Sequence, residues 1–263
     1  MSSKVAFEAS PYRSIKVDAY FHAYDRLFER YRTKAVTVVE IGILGGGSLF
    51  MWRQFFGPEA RIIGIDLNPA AVKWREHGFE IFIGDQESDD FWRSFYETVG
   101  EIDVLIDDGG HTNFQQLKTL HGALPHVRDG GVVVIEDTYA SYMKSFGNPS
   151  RYSFMRYIGI VADRINDRYF SRQPANLIKD AVYSFEVLEG MVAFHVDRRL
   201  CKPSALVANA GVDDEAVDYR VGPKRKPRGV FAKIGAQIAR KLAQYRKRLD
   251  SYRRCRPYFR SVK

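Results

Sequence analysis

The sequence contains little cysteine and no long apolar run. Its two cysteines, Cys201 and Cys255, stand far apart and outside any Cys-x-x-Cys motif. This argues against a disulfide framework and against a cysteine-ligated zinc site. No stretch approaches the length of a transmembrane helix, and residues 1–8 lack the apolar core of a secretory signal. We therefore expect a cytoplasmic protein, with contact at the inner membrane surface as a further option considered below.

The net charge of +8 is unevenly distributed. Residues 224–263 contain 15 Lys and Arg but one acidic residue, so this part carries +14 and residues 1–223 carry −6. From residue 230 onward, apolar residues recur every three or four positions among the basic ones, which predicts a basic amphipathic helix over 230–263. Such a helix suits an anionic membrane surface, or docking on its own domain or on a second copy of the chain, whereas nucleic acid is not expected. The proline- and glycine-containing residues 201–229 are interpreted as a linker.

Apolar runs alternate regularly with amphipathic segments over residues 35–137. Short connections between such segments predict right-handed crossovers and a mostly parallel sheet. The predicted strands are Ala35–Ile41, Arg61–Leu67, Phe79–Gly84, Ile102–Asp107 and Val132–Asp137. The predicted helices are Leu49–Phe56, Pro69–His77, Asp89–Thr98 and Asn113–Leu124.

The flanking segments complete a single α/β domain. Val17–Tyr31 is predicted to be a helix, Thr138–Arg151 a loop over the sheet edge, and Tyr152–Tyr169 a helix. Ala181–Leu188 and Met191–Val196 predict a hairpin that closes the sheet with an antiparallel edge strand. We therefore predict an α/β fold with a doubly wound, mostly parallel, seven-stranded sheet. Residues 1–33 are assigned to an N-terminal helical segment and residues 34–200 to the domain.

A glycine turn follows the first strand. Glu40, Gly42 and Gly46 fit E-x-G-x-x-x-G, the pattern of class I S-adenosylmethionine methyltransferases, whereas the dinucleotide pattern G-x-G-x-x-G fails. Asp66 ends the second strand, where an acid can hold two ribose hydroxyls, and Asp85 ends the third, where it can meet an adenine. A tight strand–helix turn without a ligand is the alternative for the glycines alone.

Carboxylates also gather where the fourth and fifth strands end. Asp107 and Asp108 follow one apolar run, and Glu136 and Asp137 follow the other. These strands are neighbours in a doubly wound sheet, so the acids either repel one another or hold a hard cation, for which Mg²⁺ is best suited. His111 is placed to take a proton from a substrate hydroxyl. Alternatively, Asp107 caps the next helix, His111 hydrogen-bonds backbone, and the Glu-Asp pair binds substrate hydroxyls without a metal.

Taken together, these motifs resemble the metal-dependent sugar O-methyltransferases of macrolide biosynthesis, with the rhamnosyl O-methyltransferases and the cephalosporin hydroxylase-like group as relatives. The resemblance covers roughly residues 14–140. The motifs that carry it are Glu40-Ile41-Gly42, Gly45-Gly46-Gly47-Ser48-Leu49, Met51-Trp52, Ile63-Gly64-Ile65-Asp66, Asp107-Asp108-Gly109-Gly110-His111 and Ile135-Glu136-Asp137. Compared with the macrolide enzymes, we expect the protein to lack their large N-terminal auxiliary domain and to have a basic tail that they do not share.

The resemblance implies a role for each matching residue. Asp108, Glu136 and Asp137 would hold the divalent metal, Mg²⁺ or another, and Asp108 and His111 would be catalytic, with His111 as the base. The segment Tyr20-Phe21-His22-Ala23-Tyr24 resembles a His-x-Tyr element that lies near the cofactor or substrate. The residues implied to bind S-adenosylmethionine are Glu40, Gly42, Gly45, Gly46, Ser48, Asp66, Leu67, Asp85, Gln86, Asp107, His22 and Tyr24.

These observations predict an O-methyltransferase that acts on a sugar hydroxyl of a glycan, glycolipid or glycosylated natural product. Two other functions stay open at this stage. A catalytically idle binding module, held at a glycan or membrane assembly by the tail, would need no cofactor. A metal-dependent hydroxylase would need two histidines and a carboxylate, but His121 and His126 fall at the far end of the next helix. Whether the chain forms a homo-oligomer is also open.

Overall fold

Seven strands form one sheet in the computed structural model of the chain. They are β1 Thr37–Ile41, β2 Arg61–Asp66, β3 Glu80–Ile83, β4 Ile102–Asp107, β5 Val127–Ile135, β6 Val182–Leu188 and β7 Met191–Val196. The order across the sheet is β3-β2-β1-β4-β5-β7-β6. The first five strands in that order are parallel, and β7 runs antiparallel to both of its neighbours. The prediction of a seven-stranded, doubly wound α/β sheet is confirmed.

The structure describes residues 1–146, 148, 150–168, 176–203, 205–212, 234–243, 245 and 246. Its α-helices in residues 1–205 are α1 Ser3–Glu8, α2 Asp18–Phe28, α3 Gly47–Phe56, α4 Asp89–Val99, α5 Asn113–Ala123, α6 Phe154–Asp167 and α7 Leu177–Ala181. Pro69–His77, predicted as a helix, is a 3-10 helix, and the predicted loop 138–151 contains two short ones, Thr138–Tyr142 and Lys144–Phe146. The sequence did not predict α1 and α7, because helices of five or six residues are too short to display a helical period.

Both faces of the sheet are covered by helices. On one face, α2 and α3 bury an aromatic cluster that includes Tyr24, Phe28 and Trp52 against Val38 and Val104 of the sheet. On the other face, α4, α5 and α6 pack on a second core. Burying an aromatic side chain of this size contributes about 1.5–3 kcal/mol. The N-terminal segment predicted as 1–33 therefore packs into the core of the domain, because its helix α2 covers one face of the sheet.

The parallel register places the ends of β1, β4 and β5 side by side. Ile41 of β1 pairs with Asp107 of β4, which in turn pairs with Ile135 of β5. The next residues continue this pairing, since the Asp108 N–H donates to the Ile41 carbonyl at 3.0 Å and the Glu136 N–H to the Asp107 carbonyl at 2.9 Å. The predicted acids consequently emerge at one edge of the sheet.

The chain divides into two units, Met1–Ala205 and Leu206–Lys263. In the second unit, residues 234–243 form a helix within the predicted tail. Most of the predicted linker, residues 213–229, lies outside the described residues. The same is true of residues 230–233 and 247–263 of the predicted tail. Among the described helices, none combines the length and the apolar character that crossing a membrane requires.

Candidate active site

The glycine turn after β1 packs closely against the end of β4. Gly42 has φ +82°, and a Cβ atom there would lie 2.1 Å from the carbonyl oxygen of Asp108. Gly46 has φ +79°, and its Cβ would lie 2.2 Å from the ring of Trp74. L side chains rarely adopt this backbone conformation, so glycine is required at both positions. The turn thus lies against the end of β4 and against the 3-10 helix Pro69–His77 that follows β2.

The carboxylate of Asp66 is fixed by backbone donors beside this turn. Its Oδ2 accepts from the Leu44 N–H at 3.1 Å, and its Oδ1 accepts from the Asn68 N–H at 2.8 Å. Leu44, with φ +42°, and Leu67 are 80% and 70% exposed, and both line the same cleft as Asp66. The glycine turn therefore presents an oriented carboxylate flanked by two apolar side chains.

A cleft of about 460 Å³ runs along the carboxyl edge of the sheet. Its walls come from the ends of β1, β2, β3, β4 and β5, from the start of α5, and from the segment that precedes α2. The predicted site residues that line it are Gly42, Ser48, Asp66, Leu67, Asp85, Gln86, Asp108, His111 and Asp137. The cleft therefore joins the predicted cofactor residues to most of the predicted chemical ones.

Other predicted site residues lie behind the wall of the cleft or away from it. Those outside its lining are His22, Tyr24, Glu40, Gly45, Gly46, Asp107 and Glu136. Glu40 is buried and accepts from the Ser48 hydroxyl at 2.5 Å, so it shapes the wall from behind. His22 is exposed on α2.

Asp107 and Gln86 form a buried link under the cleft floor. Gln86 Nε2 donates to both carboxylate oxygens of Asp107, at 3.1 and 3.2 Å, and Gln86 Oε1 accepts from the Gly110 N–H at 2.9 Å. Burial raises the pKa of Asp107. The alternative that Asp107 caps the next helix is wrong, because Thr112 caps α5 through a capping box with Gln115.

Asp108, His111 and Asp137 converge on one point of the cleft. One ligand atom from each lies within 4.8 Å of the other two. His111 Nε2 is 3.4 Å from Asp137 Oδ2 and 3.9 Å from Asp108 Oδ1. Two carboxylates and an imidazole form a donor set that fits a divalent cation.

Two residues of this group have unusual backbone conformations. His111 has φ +57° and Asp137 has φ +54°, in the left-handed region that costs a non-glycine residue about 1–3 kcal/mol. Such strain persists where the surrounding structure over-determines it, as at binding and catalytic sites. The strain therefore supports a functional role for the group formed by Asp108, His111 and Asp137.

Sequence reasoning missed Lys16, whose ammonium group lies among the buried acids. Its Nζ is 2.7 Å from Asp108 Oδ2, 3.2 Å from Glu136 Oε2 and 3.2 Å from Glu40 Oε1. Burial opposes the charge on Lys16, but Glu136, Tyr24, Glu40 and Asp108 outweigh it and raise the lysine pKa well above its ordinary value. A lone lysine in an irregular segment gives no sequence signal, because the three contacts span 24 to 120 residues.

Tyrosines of α2 bind the two acids that follow β5. Tyr24 donates to Glu136 Oε1 at 2.5 Å, and Tyr20 donates to Asp137 Oδ1 at 2.7 Å. Burial raises the pKa of Glu136, although Lys16 opposes this rise. Tyr20 and Tyr24 are one helical turn apart on the buried face of α2, and this spacing was the signal that could have identified Tyr20.

Known proteins resemble this chain in sequence and in fold. Residues 39–138 match a family described as "Methyltransferase domain". Demethylmacrocin O-methyltransferase of Streptomyces fradiae is 32% identical over 181 residues, which are 65% of this chain and 45% of that protein. A rhamnosyl-tetracenomycin-C 3'-O-methyltransferase of Streptomyces olivaceus is 32% identical over 191 residues, 67% of this chain and 46% of that protein. The chain thus spans about half the length of these relatives.

A solved structure supports the same relationship. The MycE methyltransferase of the mycinamycin biosynthetic pathway, in complex with Mg, SAH and mycinamycin VI, matches with a TM-score of 0.64 and 28% identity. The match covers 74% of this chain and 53% of MycE. The predicted resemblance is confirmed: residues 39–138 match a methyltransferase domain, the fold is similar to that of a class I methyltransferase, and the sequence is similar to macrolide and rhamnosyl sugar O-methyltransferases.

Proposed function

We propose that the protein is an S-adenosylmethionine-dependent O-methyltransferase that uses a divalent metal to methylate a sugar hydroxyl. The observation that carries this proposal is the shared cleft. Asp66 and Asp85 line one end, and Asp108, His111 and Asp137 line the other. A cofactor held at the first end would place its methyl group toward the second.

The first end of the cleft fits an adenosyl group. Asp66 is oriented by two backbone donors and is available for ribose hydroxyls, as acids in this position are in related folds. Asp85 also lines the cleft, after the end of β3, and is the proposed partner of the adenine. Gly42 lets the ligand approach the backbone closely.

The second end fits a magnesium ion. Asp108, Glu136 and Asp137 are the proposed ligands, all of them oxygen donors on neighbouring strand ends, which Mg²⁺ prefers. Bound there, the ion would lower the pKa of an acceptor hydroxyl and so make its oxygen a better nucleophile. Tyr20 fixes the carboxylate of Asp137 through its hydrogen bond to Oδ1.

His111 is the proposed general base. Its imidazole stands beside Asp108 and Asp137 and lines the cleft, so it can accept the proton of a hydroxyl placed between it and the cofactor. The protein then has to align the acceptor oxygen with the methyl carbon and the sulfur of the cofactor. For the acceptor we propose a sugar, because the relatives are named for methylation of glycosylated natural products.

The direct test is transfer of a labelled methyl group from S-adenosylmethionine to a panel of rhamnosides and other deoxysugar glycosides. We expect at least one glycoside to be methylated on oxygen and the matching deoxy analogue to be inert. His121→Ala is a control that should keep full activity, because His121 lies on α5 and hydrogen-bonds Tyr157 outside the cleft. Cofactor binding without transfer to any hydroxyl in the panel would contradict the proposed reaction.

The two alternative functions make different predictions. An idle module needs no S-adenosylmethionine and transfers no methyl group, so methylation of a glycoside contradicts it. A hydroxylase would need a second histidine, but in the described part of the chain the candidate ligand group contains two carboxylates and His111 as its one imidazole. The geometry therefore favours methyl transfer.

For the tail we propose peripheral attachment to an anionic membrane surface. Ile234, Ile238 and Leu242 recur every four residues in the helix 234–243, and Arg240 and Lys241 lie among them. The full chain should sediment with vesicles that contain phosphatidylglycerol and not with neutral vesicles, and Arg240→Glu with Lys241→Glu should weaken this. Salt-insensitive self-association without vesicle binding would instead indicate a homo-oligomer.

A further inference from the structure

Lys16 is the one cation that the structure places among the acids of the site, within the described residues. Its side chain is 1% exposed, as are those of Glu40 and Glu136. The ammonium group therefore neutralises part of a cluster that would otherwise hold several uncompensated charges in a buried place. This explains how the strand ends can carry so many carboxylates.

The ammonium of Lys16 also contacts two of the carboxylates that are proposed to bind the metal. It lies 2.7 Å from Asp108 Oδ2 and 3.2 Å from Glu136 Oε2, whereas Asp137 is bound by Tyr20. The other oxygen of Glu136 accepts from Tyr24. Both oxygens of Glu136 thus already have a donor, and a divalent ion placed against Oε2 would be repelled at close range by the Lys16 ammonium.

Of the two donors, Lys16 is the one that can move. Tyr24 is fully buried in the aromatic cluster of α2. Lys16 instead lies on the irregular segment 9–17, and most residues from Pro11 to Val17 are exposed. Tyr12 anchors the first part of this segment by packing against Phe50 and Trp74. Withdrawing the Lys16 side chain leaves that packing in place, whereas moving Tyr24 would disrupt the core.

We propose that Lys16 is an internal competitor of the metal, whose ammonium leaves Asp108 and Glu136 when a divalent ion binds there. This inference rests on the proposed metal site. A singly charged ion gains no more from these carboxylates than the ammonium does, but a doubly charged ion gains about twice as much. Lys16 would therefore make the site selective for divalent over monovalent cations.

The exchange would also link the metal to the cofactor cleft. Ser14 and Ile15 precede Lys16 directly and line the cleft that holds both proposed binding sites. A shift of this segment on the departure of Lys16 would change that wall of the cleft when the metal binds. Metal and cofactor binding would then be coupled through one lysine.

Amine acylation of the wild-type chain, read by mass spectrometry, tests the displacement directly. Without divalent ions, we expect Lys16 to be protected; saturating Mg²⁺ should raise its labelling at least about fivefold, and an equal ionic strength of KCl should not. Lys4, whose side chain is 51% exposed in its pair with Asp18, is the internal control and should not change. Lys16 that stays protected under saturating Mg²⁺ would overturn the proposal.

Calorimetry of Mg²⁺ binding provides a second readout. Lys16→Met should lower the Kd at least about tenfold, because a competing charge is removed. Lys4→Met should leave the Kd within about twofold, since surface charges are screened. When Glu136→Gln is already present, Lys16→Met should lower the Kd for Mg²⁺ much less than it does in the wild type. The reason is that Glu136 is a carboxylate that Lys16 releases.

These experiments distinguish an error in the proposed metal site from an error in the proposed competition by Lys16. If neither the wild type nor Lys16→Met binds Mg²⁺, the proposed metal site itself is wrong. If the wild type binds Mg²⁺ but Lys16→Met binds it no more tightly, only the competition is wrong. A gain that persists in full without the Glu136 carboxylate would also overturn the competition.

Discussion

The two halves of the cleft differ in how they are built. The cofactor half comes from β1, β2 and β3. Its contacts join residues that are nearer in sequence, such as Leu44 and Asp66, which are 22 positions apart. The chemical half comes from β4 and β5, but its acids are held by Lys16, Tyr20 and Tyr24 from about 90 to 120 residues away. The first half depends on local turn geometry, whereas the second depends on the N-terminal segment packing onto the sheet.

If the halves have separate tasks, the largest effect should come from the chemical half. His111→Ala removes the proton acceptor and should lower kcat by about 10²–10⁴-fold. The KM for S-adenosylmethionine should stay within about threefold, since the cofactor residues are untouched. Steady-state kinetics with a glycoside acceptor measure both. A variant that raises only this KM would assign His111 to the cofactor half instead.

The junction between the halves is tested by Gly42→Ala. The new Cβ would meet the Asp108 carbonyl and would also require a strained φ, so we expect a loss of about 3 kcal/mol or more in the free energy of unfolding. Gly78→Ala is a matched control, because Gly78 has φ +81° with open space around it and should lose about 1 kcal/mol. Urea unfolding compares the two. Equal losses would show that the close approach at Gly42 is unimportant.

The cofactor half should respond in affinity. Asp66→Ala removes a charged hydrogen-bond acceptor for the ribose and should raise the Kd for S-adenosylmethionine about 10–100-fold. At saturating cofactor, kcat should change by less than about threefold. Calorimetry and kinetics together measure this split. A large fall in kcat at saturation would mean that the halves are not separable.

The smallest effect is expected outside both halves. Arg26 hydrogen-bonds Glu186 and lowers the pKa of that carboxyl, so the pair stabilises the fold above the pKa of the unfolded chain and loses this contribution as acid protonates Glu186. Arg26→Met should cost less than about 1 kcal/mol at pH 7. The difference from wild type should vanish in acid, as measured by urea unfolding at several pH values. A constant difference would point to lost packing instead.

The sequence predicted the sheet and the strand-end residues well because both follow from short-range patterns. Strand boundaries agreed closely, and Ile102–Asp107 was predicted with the bounds that the structure gives. β5 starts earlier than predicted, at Val127, because Arg128, Asp129 and Gly130 interrupt the apolar run that was used to find it.

The partners of the acids could not be predicted in the same way. The set of carboxylates that Lys16 contacts depends on the path of residues 9–17. This segment shows no periodicity, so the sequence does not predict its path. Glu136 and Asp137 are adjacent in sequence, yet Glu136 is buried on Tyr24 and Lys16 while Asp137 lines the cleft. The roles assigned to the individual site residues therefore stay predictions.

The central claim is that methyl transfer requires a divalent ion held by the acids after β4 and β5. The most direct measurement is single-turnover transfer of a labelled methyl group to an accepted glycoside, after complete chelation and after Mg²⁺ is added back. We expect transfer to be lost on chelation and restored by Mg²⁺, with no restoration in Asp108→Asn. Transfer that persists at full rate in the chelated wild type would contradict the claim.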